Sequence, residues 1–354
     1  MNLDYADLDP GRLLDALDEV GLRGDGRLLQ LNSYENRVYL VHLEEGGAIV
    51  AKFYRPGRWS NAQLLEEHRF ALDLLAAEVP LAAPLSLSLA PDSRAEVQGQ
   101  PPTLALWGGM RFAATPKLGG RAPELEDPEV LEVLGRFIAR IHRVGRERHF
   151  VARPQWVGRA PGDLARAAVL ASDTLPPDLA PRWLSIVDRC LEAVQTAFDA
   201  VPDLRLQRLH GDCHPGNLLW SPGGGAHFVD LDDAVTGPAV QDLWMLLSGE
   251  PAQAQAQLRS LLAGYEQVLD FDRRELRLIE PLRTLRMIHH SGWIAKRWDD
   301  PAFPLAFPWF GTPNYWSDQV AKLAEQLEAM AEPQDAPPPP ADDDFVDFDG
   351  DGFS

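Results

Sequence analysis

The sequence predicts an α+β fold of two lobes, β-rich at the N-terminus and mostly helical after it. Three observations carry this expectation. Residues 1–115 alternate short apolar runs with Gly and Pro turns. From residue 116 onward the apolar residues recur at three- and four-residue spacing. At 354 residues, 45% of them hydrophobic, the chain exceeds what a single core usually serves. The expected division is therefore 1–115 for the β-rich lobe, 116–332 for the helical lobe and 333–354 for an acidic tail.

In the first lobe, Leu13, Leu14, Leu17 and Val20 mark one side of a short helix over 10–20. Three β-like runs follow at 28–31, 37–43 and 48–54, the last two joined by a Glu45-Gly46-Gly47 turn. Ser60 opens a helix, and Gln63 three positions later completes a capping-box pattern. Its apolar side is Leu64, Leu65, Ala71, Leu72, Leu74 and Leu75. The segment 85–114, broken by Pro and Gly, fits further strands.

In the second lobe, Val130, Leu134, Phe137, Ile138 and Ile141 give helical spacing over 128–148. Further helices fit 181–201, 240–247, 252–269, 273–298 and 316–331. The tail has four consecutive prolines and then acidic residues, a composition that does not support a packed core. Its Asp347 to Gly352 run lacks the terminal glutamate and flanking helices of a calcium loop.

Chemistry concentrates in His210-Gly211-Asp212-Cys213-His214-Pro215-Gly216-Asn217, with Asp230 thirteen positions later. This order of carboxylate, amide and carboxylate occurs in the protein-kinase catalytic set. Moving the γ-phosphoryl of ATP needs one carboxylate to orient a hydroxyl and accept its proton. It also needs oxygen ligands for magnesium on the triphosphate. Asp212 is thus the expected base, and Asn217 and Asp230 the expected metal ligands. Pro215-Gly216 forces a turn between base and amide. The same turn prevents His210 and His214 from sharing a helical face, so they are expected to hydrogen-bond within the loop rather than bind zinc. With these motifs the two lobes read as a bilobal protein kinase-like fold, its nucleotide cleft between them.

Lys52, in the strand Ile49-Val50-Ala51-Lys52-Phe53, corresponds to the kinase lysine that holds the α/β-phosphates. Such a lysine needs a carboxylate, and the helix after Ser60 offers both Glu66 and Glu67. No Gly-x-Gly-x-x-Gly loop is present; Asn32-Ser33-Tyr34-Glu35-Asn36 stands between the first two strands instead. Adenine contacts are expected from backbone atoms of 113–119. Asp232 would share a strand face with Asp230, as a structural or solvated group. Asp242 is expected to cap a helix or brace the catalytic loop. Cys213 fills a turn or, alternatively, senses redox state.

Several runs together resemble the bacterial stress response kinase A family, a branch of the aminoglycoside phosphotransferase and choline kinase-like group. They are Leu209 to His214, Phe228 to Asp233, Gly237 to Leu247, Leu31 to Tyr39, Lys52 to Pro56 and Asp300 to Pro304. The resemblance spans nearly the whole chain. It implies a cytoplasmic, ATP-dependent Ser/Thr protein kinase that also phosphorylates itself and acts in stress response. It implies Ser33 as the ATP-contacting member of its loop and favours Glu67 as the partner of Lys52. A monomer is expected.

Composition excludes other classes. A net charge of −20 argues against nucleic acid as a partner, because phosphate backbones require clustered Lys and Arg. No apolar run is long enough to span a membrane, and no apolar signal segment begins the chain. Two cysteines, Cys190 and Cys213, make no disulfide framework, which favours a reducing compartment. Two other readings stay in view: a small-molecule kinase of the aminoglycoside, choline or homoserine kinase type, and a nucleotide-binding scaffold without activity. The aromatics from Trp293 to Trp316 fit core packing or an acceptor-binding wall. Arg283, Arg286, Lys296 and Arg297 fit a solvated helix face or an attractor of an acidic protein or phosphorylated loop.

Overall fold

A computed structural model describes residues 8–221, 223 and 225–332. The acidic tail at 333–354 lies outside the described residues. Helix α1 (Pro10–Asp18) starts where Asp9 accepts the Arg12 N–H, and buries Leu13, Ala16 and Leu17. Strands β1 (Gly24–Leu31), β2 (Arg37–Leu43) and β3 (Ala48–Phe53) form an antiparallel meander. In β3 the two-residue period turns Ile49, Ala51 and Phe53 into the core and leaves Lys52 on the other face. Helix α2 (Asn61–Ala76) carries the full Ser60–Gln63 capping box. Strands β4 (Glu96–Val97), β5 (Ala105–Trp107) and β6 (Met110–Pro116) complete a six-stranded sheet ordered β1-β2-β3-β6-β5-β4. One N-lobe cluster packs α1 on this sheet, with Phe53 and Phe112 stacked at 5.0 Å.

The second lobe is helical around two small two-stranded sheets. Its elements are α3 (Pro128–Gly145), α4 (Ala160–Leu170), α5 (Ala180–Asp199), β7 (Gln207–Leu209), β8 (Leu218–Ser221), β9 (Gly225–Phe228) and β10 (Val235–Gly237). They are followed by α6 (Gln241–Trp244), α7 (Pro251–Tyr265), α8 (Ile279–Ala295), α9 (Ala302–Ala306) and α10 (Pro313–Ala331). Helices α3 and α7 touch backbone to backbone. A Cβ on Gly135 would stand 2.0 Å from the Leu261 carbonyl oxygen, and one on Gly264 would stand 1.9 Å from that of Glu132. Trp183 of α5 and Trp316 of α10, both fully buried, meet edge to face at 5.5 Å. Among the described residues no helix is long and apolar enough to cross a membrane.

Two expectations about helices need correction, and one helix was missed. The one placed at 240–247 is a single α-turn at Gln241–Trp244. The one placed at 273–298 divides into a 3₁₀ segment, Arg273–Leu278, and α8. Asp272 caps that segment, and the Glu275 side chain within it turns to a neighbouring backbone rather than continuing the helix face. Helix α4 was not anticipated, because its buried face is mostly small: Pro161, Gly162, Ala165 and Val169. Such residues give weak periodicity.

Glu275 is buried, and its carboxylate accepts the Val240 N–H at 2.9 Å. Burial pushes its pKa from 4.5 up to about 7, although the Val240 hydrogen bond and Arg146 partly oppose this. The folded chain therefore keeps a proton that the unfolded chain releases, so stability falls as pH rises from 4.5 to about 7 and levels off above. Glu275→Gln keeps an acceptor oxygen without the charge and should remove this slope. Urea unfolding at acidic and mildly basic pH should show the variant gaining on the parent by up to about 3 kcal/mol as pH rises. A difference that ignores pH would contradict the assignment.

Candidate active site

Strands β8 and β9 pair with Leu218 opposite Phe228. Register alone therefore brings Asn217, just before β8, beside Val229, just after β9. The Val229 N–H donates to the Asn217 carbonyl at 3.0 Å. A 3₁₀ turn at Pro215–Asn217 leads into β8, with His214 Nδ1 accepting the Gly216 N–H at 3.0 Å. The Asn217 amide donates to the Asp212 carbonyl at 2.9 Å and to its carboxylate at 3.3 Å. Asp212, Asn217 and the segment leading to Asp230 thus gather at one end of the hairpin.

Asp230 adopts φ 61° and ψ 68°, a left-handed conformation that Asp tolerates better than most residues. The expected shared strand face of Asp230 and Asp232 is consequently wrong. The strand has ended, and Asp232 lies in the next 3₁₀ turn, Leu231–Asp233. Nor is Asp232 solvated. It is buried, with its carboxylate accepting from Asn36 Nδ2 at 2.9 Å and from the Arg58 guanidinium.

Asp242 braces the catalytic loop from below. It is fully buried and accepts the His210 and Gly211 N–H groups, each at 2.8 Å, while His142 Nε2 lies 3.1 Å from it. Gly211 sits at φ +82°, and a Cβ there would meet the Asp233 carbonyl oxygen at 2.2 Å. His210 Nε2 bonds the Val229 carbonyl at 3.0 Å, so His214 bonds within the loop as expected whereas the His210 side chain reaches out of it to the end of β9. Cys213 is fully buried, and burial pushes its thiol well above the ordinary range, the opposite of a reactive thiolate.

Lys52 reaches from the N-lobe sheet to the helical lobe. Its Nζ lies 2.6 Å from Asp230 Oδ1, joining the N-lobe sheet to the end of the hairpin. Burial alone would lower the Lys52 pKa, but Asp230, Asp232 and Glu67 outweigh it and raise it. Burial likewise opposes ionisation of Asp230, yet Lys52 holds its carboxyl below the ordinary value. The two candidate glutamates of α2 point in different directions. Glu66 accepts the N–H groups of Val151, Ala152 and Arg153 at 2.8 to 3.0 Å, pinning the chain after α3. Glu67 is buried on the Lys52 side. Burial raises its pKa to about 7 against the pull of Lys52, and its Oε2 has no hydrogen-bond partner. The direct ion pair of Lys52 is thus with Asp230, and Glu67 interacts with Lys52 through space without a hydrogen bond to it.

The loop Asn32–Asn36 is clamped to the helical lobe. Glu35 accepts from Trp293 Nε1 at 2.7 Å and from Arg297 at 2.7 and 2.6 Å. Tyr34 meets Phe307 with tilted rings at 4.9 Å, and Asn36 holds Asp232. Ser33 is exposed, and its Oγ accepts the Asn36 N–H at 3.2 Å. Most of the aromatic region packs as core. Phe303, Phe310 and Trp316 are core, whereas Trp309 remains 42% exposed.

Arg286 is where the sequence reading falls short. Its side chain stays partly exposed, yet its NH1 stands 2.7 Å from Asp212 Oδ1. Burial by itself would raise the Asp212 carboxyl, but the His214 hydrogen bond and the Arg286 charge hold it well below the ordinary range.

The donor set fits a hard divalent cation. Among the described residues the Asn217 carboxamide oxygen has no protein partner, and the Asp230 carboxylate is ionised and half-exposed. No cluster of three or more His, Cys, Asp or Glu side chains forms a metal cage among those residues. Magnesium needs none, since substrate phosphates and water complete its shell. A separate cavity of about 520 Å³, lined by Arg146, Tyr265, Asp272 and Glu275 among others, contains none of these groups.

Residues 27–279 match the model of the phosphotransferase enzyme family. Stress response kinase A of Escherichia coli strain K12 is 42% identical over 330 residues, covering 93% of this chain and 95% of that protein. Serine/threonine protein kinase RdoA of Salmonella typhimurium is 42% identical over 334 residues, with the same coverage. The chain belongs to the stress response kinase A family, within the phosphotransferase enzymes. Solved structures agree on the fold. An amicoumacin kinase superposes with a TM-score of 0.68 at 18% identity, covering 92% of this chain and 95% of its own. A microcompartment-associated aminopropanol kinase gives 0.62 at 17%, covering 91% and 96%. The α+β two-lobed kinase architecture expected from the sequence is the architecture found.

Proposed function

We propose that this family member is an ATP- and magnesium-dependent Ser/Thr protein kinase, able to phosphorylate itself, that acts in the cytoplasm as a monomer during stress. The observation that carries this reading is 42% identity, over 93% of the chain, to proteins named stress response kinase A and serine/threonine protein kinase. The site geometry supports its mechanism. Asp212 orients the acceptor hydroxyl and takes its proton as the oxygen attacks the γ-phosphorus. The bond from γ-phosphorus to the β,γ-bridging oxygen breaks, and ADP leaves with that electron pair. Asn217 and Asp230 would hold magnesium, which when bound neutralises charge on the phosphates. Lys52, backed by Glu67, binds the α/β-phosphates and exchanges part of its contact with Asp230 for them. Ser33 and the clamped loop around it cover the phosphates from the N-lobe.

Incubation with γ-labelled ATP, either with candidate proteins or with a panel of amino alcohols, sugars and aminoglycosides, tests the acceptor class. Label on protein side chains, including the enzyme's own, is the expected result. Efficient turnover of one small alcohol with no labelled protein would establish the small-molecule kinase reading instead.

A further inference from the structure

From His210 to Asp233 the chain contains no Lys or Arg, so the hairpin that holds base and metal ligands supplies no cation of its own. A phosphoryl group in transit carries negative charge on its outer oxygens, and phosphotransferases commonly meet it with a positive side chain. The cations around the cleft are largely committed elsewhere. Lys52 pairs with Asp230, Arg58 with Asp232 and Asp233, Arg297 with Glu35, and Arg55 with Asp300.

Arg286 differs from these. It projects from α8 to within 2.7 Å of Asp212 Oδ1. The contact is one of charge rather than an aligned hydrogen bond, because that oxygen has no hydrogen-bond partner. Its side chain is 39% exposed, and Asp212 is its one ion-pair partner among the described residues. A guanidinium has five N–H donors in a planar fork, so one edge can stay with a carboxylate while another meets phosphoryl oxygens. The neighbouring charges on α8 do not compete for it. Arg283 pairs with Glu280 at 3.5 Å and lies over the Trp244 ring, and Lys296 is a further ten positions along the helix.

We propose that Arg286 is a further catalytic residue, the cation that contacts the transferred phosphoryl group while keeping Asp212 aimed at the acceptor. This rests on the phosphotransfer reading above and adds to it a charge supplied from α8 rather than from the catalytic loop. As the acceptor oxygen bonds to phosphorus and the bond to ADP breaks, Arg286 stabilises the equatorial oxygens. The proton goes to Asp212, and Arg286 keeps its own protons throughout.

The test compares the parent with Arg286→Lys and Arg286→Ala, measuring labelled phosphoryl transfer to the acceptor or, with none supplied, to water. Arg286→Ala should lose about 10²- to 10³-fold in kcat. Its KM for ATP should stay within about threefold, because the contact forms with the phosphoryl in transit rather than with bound ATP. Arg286→Lys should retain an intermediate rate, and added guanidinium should partly restore Arg286→Ala, which repair of a packing defect would not do. The alanine variant should also fail to form the tight complex with ADP, magnesium and aluminium fluoride while still binding ADP. Parental kcat in Arg286→Ala, a loss confined to KM, a higher kcat, or a loss that neither lysine nor guanidinium relieves would each overturn the proposal. Should the parent and Asp212→Asn behave alike, the phosphotransfer reading itself fails. Should Asp212→Asn be dead while Arg286→Ala is normal, only this inference does.

Discussion

Asp212→Asn is expected to lower kcat by about 10²- to 10⁴-fold while leaving the fold and ATP affinity close to those of the parent. The substitution preserves shape, and an amide oxygen can still accept from the Asn217 Nδ2 that lies 3.3 Å away. What disappears is the negative charge that the proposed mechanism uses to take the acceptor proton and that pairs with Arg286. Steady-state transfer of labelled phosphoryl, with thermal unfolding and nucleotide titration as controls, checks this. Unchanged transfer would remove Asp212 from the chemistry.

Asp242→Ala should have the largest effect on stability. The side chain is fully buried and serves the His210 N–H, the Gly211 N–H and the His142 ring. Truncation leaves those donors dry and unpaired, at a cost of about 3–5 kcal/mol. For a chain of this length that corresponds to a fall in Tm of roughly 4–7 °C. Activity should fall as well, because the freed N–H groups belong to the two residues immediately before Asp212. Thermal unfolding and transfer rate measured on one preparation separate the possibilities. A variant that is inactive yet as stable as the parent would place Asp242 in the reaction rather than beneath it.

The site was legible wherever its parts are close in sequence. Asp212 and Asn217 are five residues apart, and one hairpin register brings the segment of Asp230 to them. The capping box at Ser60 and the alternation of β3 also read directly, since both depend on local backbone geometry. What could not be read depends on the two lobes meeting. Lys52 finds Asp230 across 178 positions, Asn36 finds Asp232 across 196, and Glu35 finds Arg297 across 262. No spacing rule encodes such contacts. Asp232 was misplaced because a left-handed Asp230 ends the strand, a backbone choice that the side-chain pattern does not reveal. Arg286 was singled out as a cation but could not be tied to Asp212, because the two meet across 74 positions and no spacing rule pairs them. The absence of any Lys or Arg across the hairpin was the available signal that a cation must come from elsewhere.

The central claim is that Asn217 and Asp230 place a divalent ion on the phosphates of a nucleotide bound between the lobes. Calorimetric titration of ATP into the parent, Asn217→Ala and Asp230→Asn, each with and without magnesium, tests it most directly. The account predicts that magnesium strengthens ATP binding to the parent, by about tenfold or more, and that either substitution abolishes most of this gain. Equal affinities with and without the ion in the parent, or a gain that survives both substitutions, would contradict it.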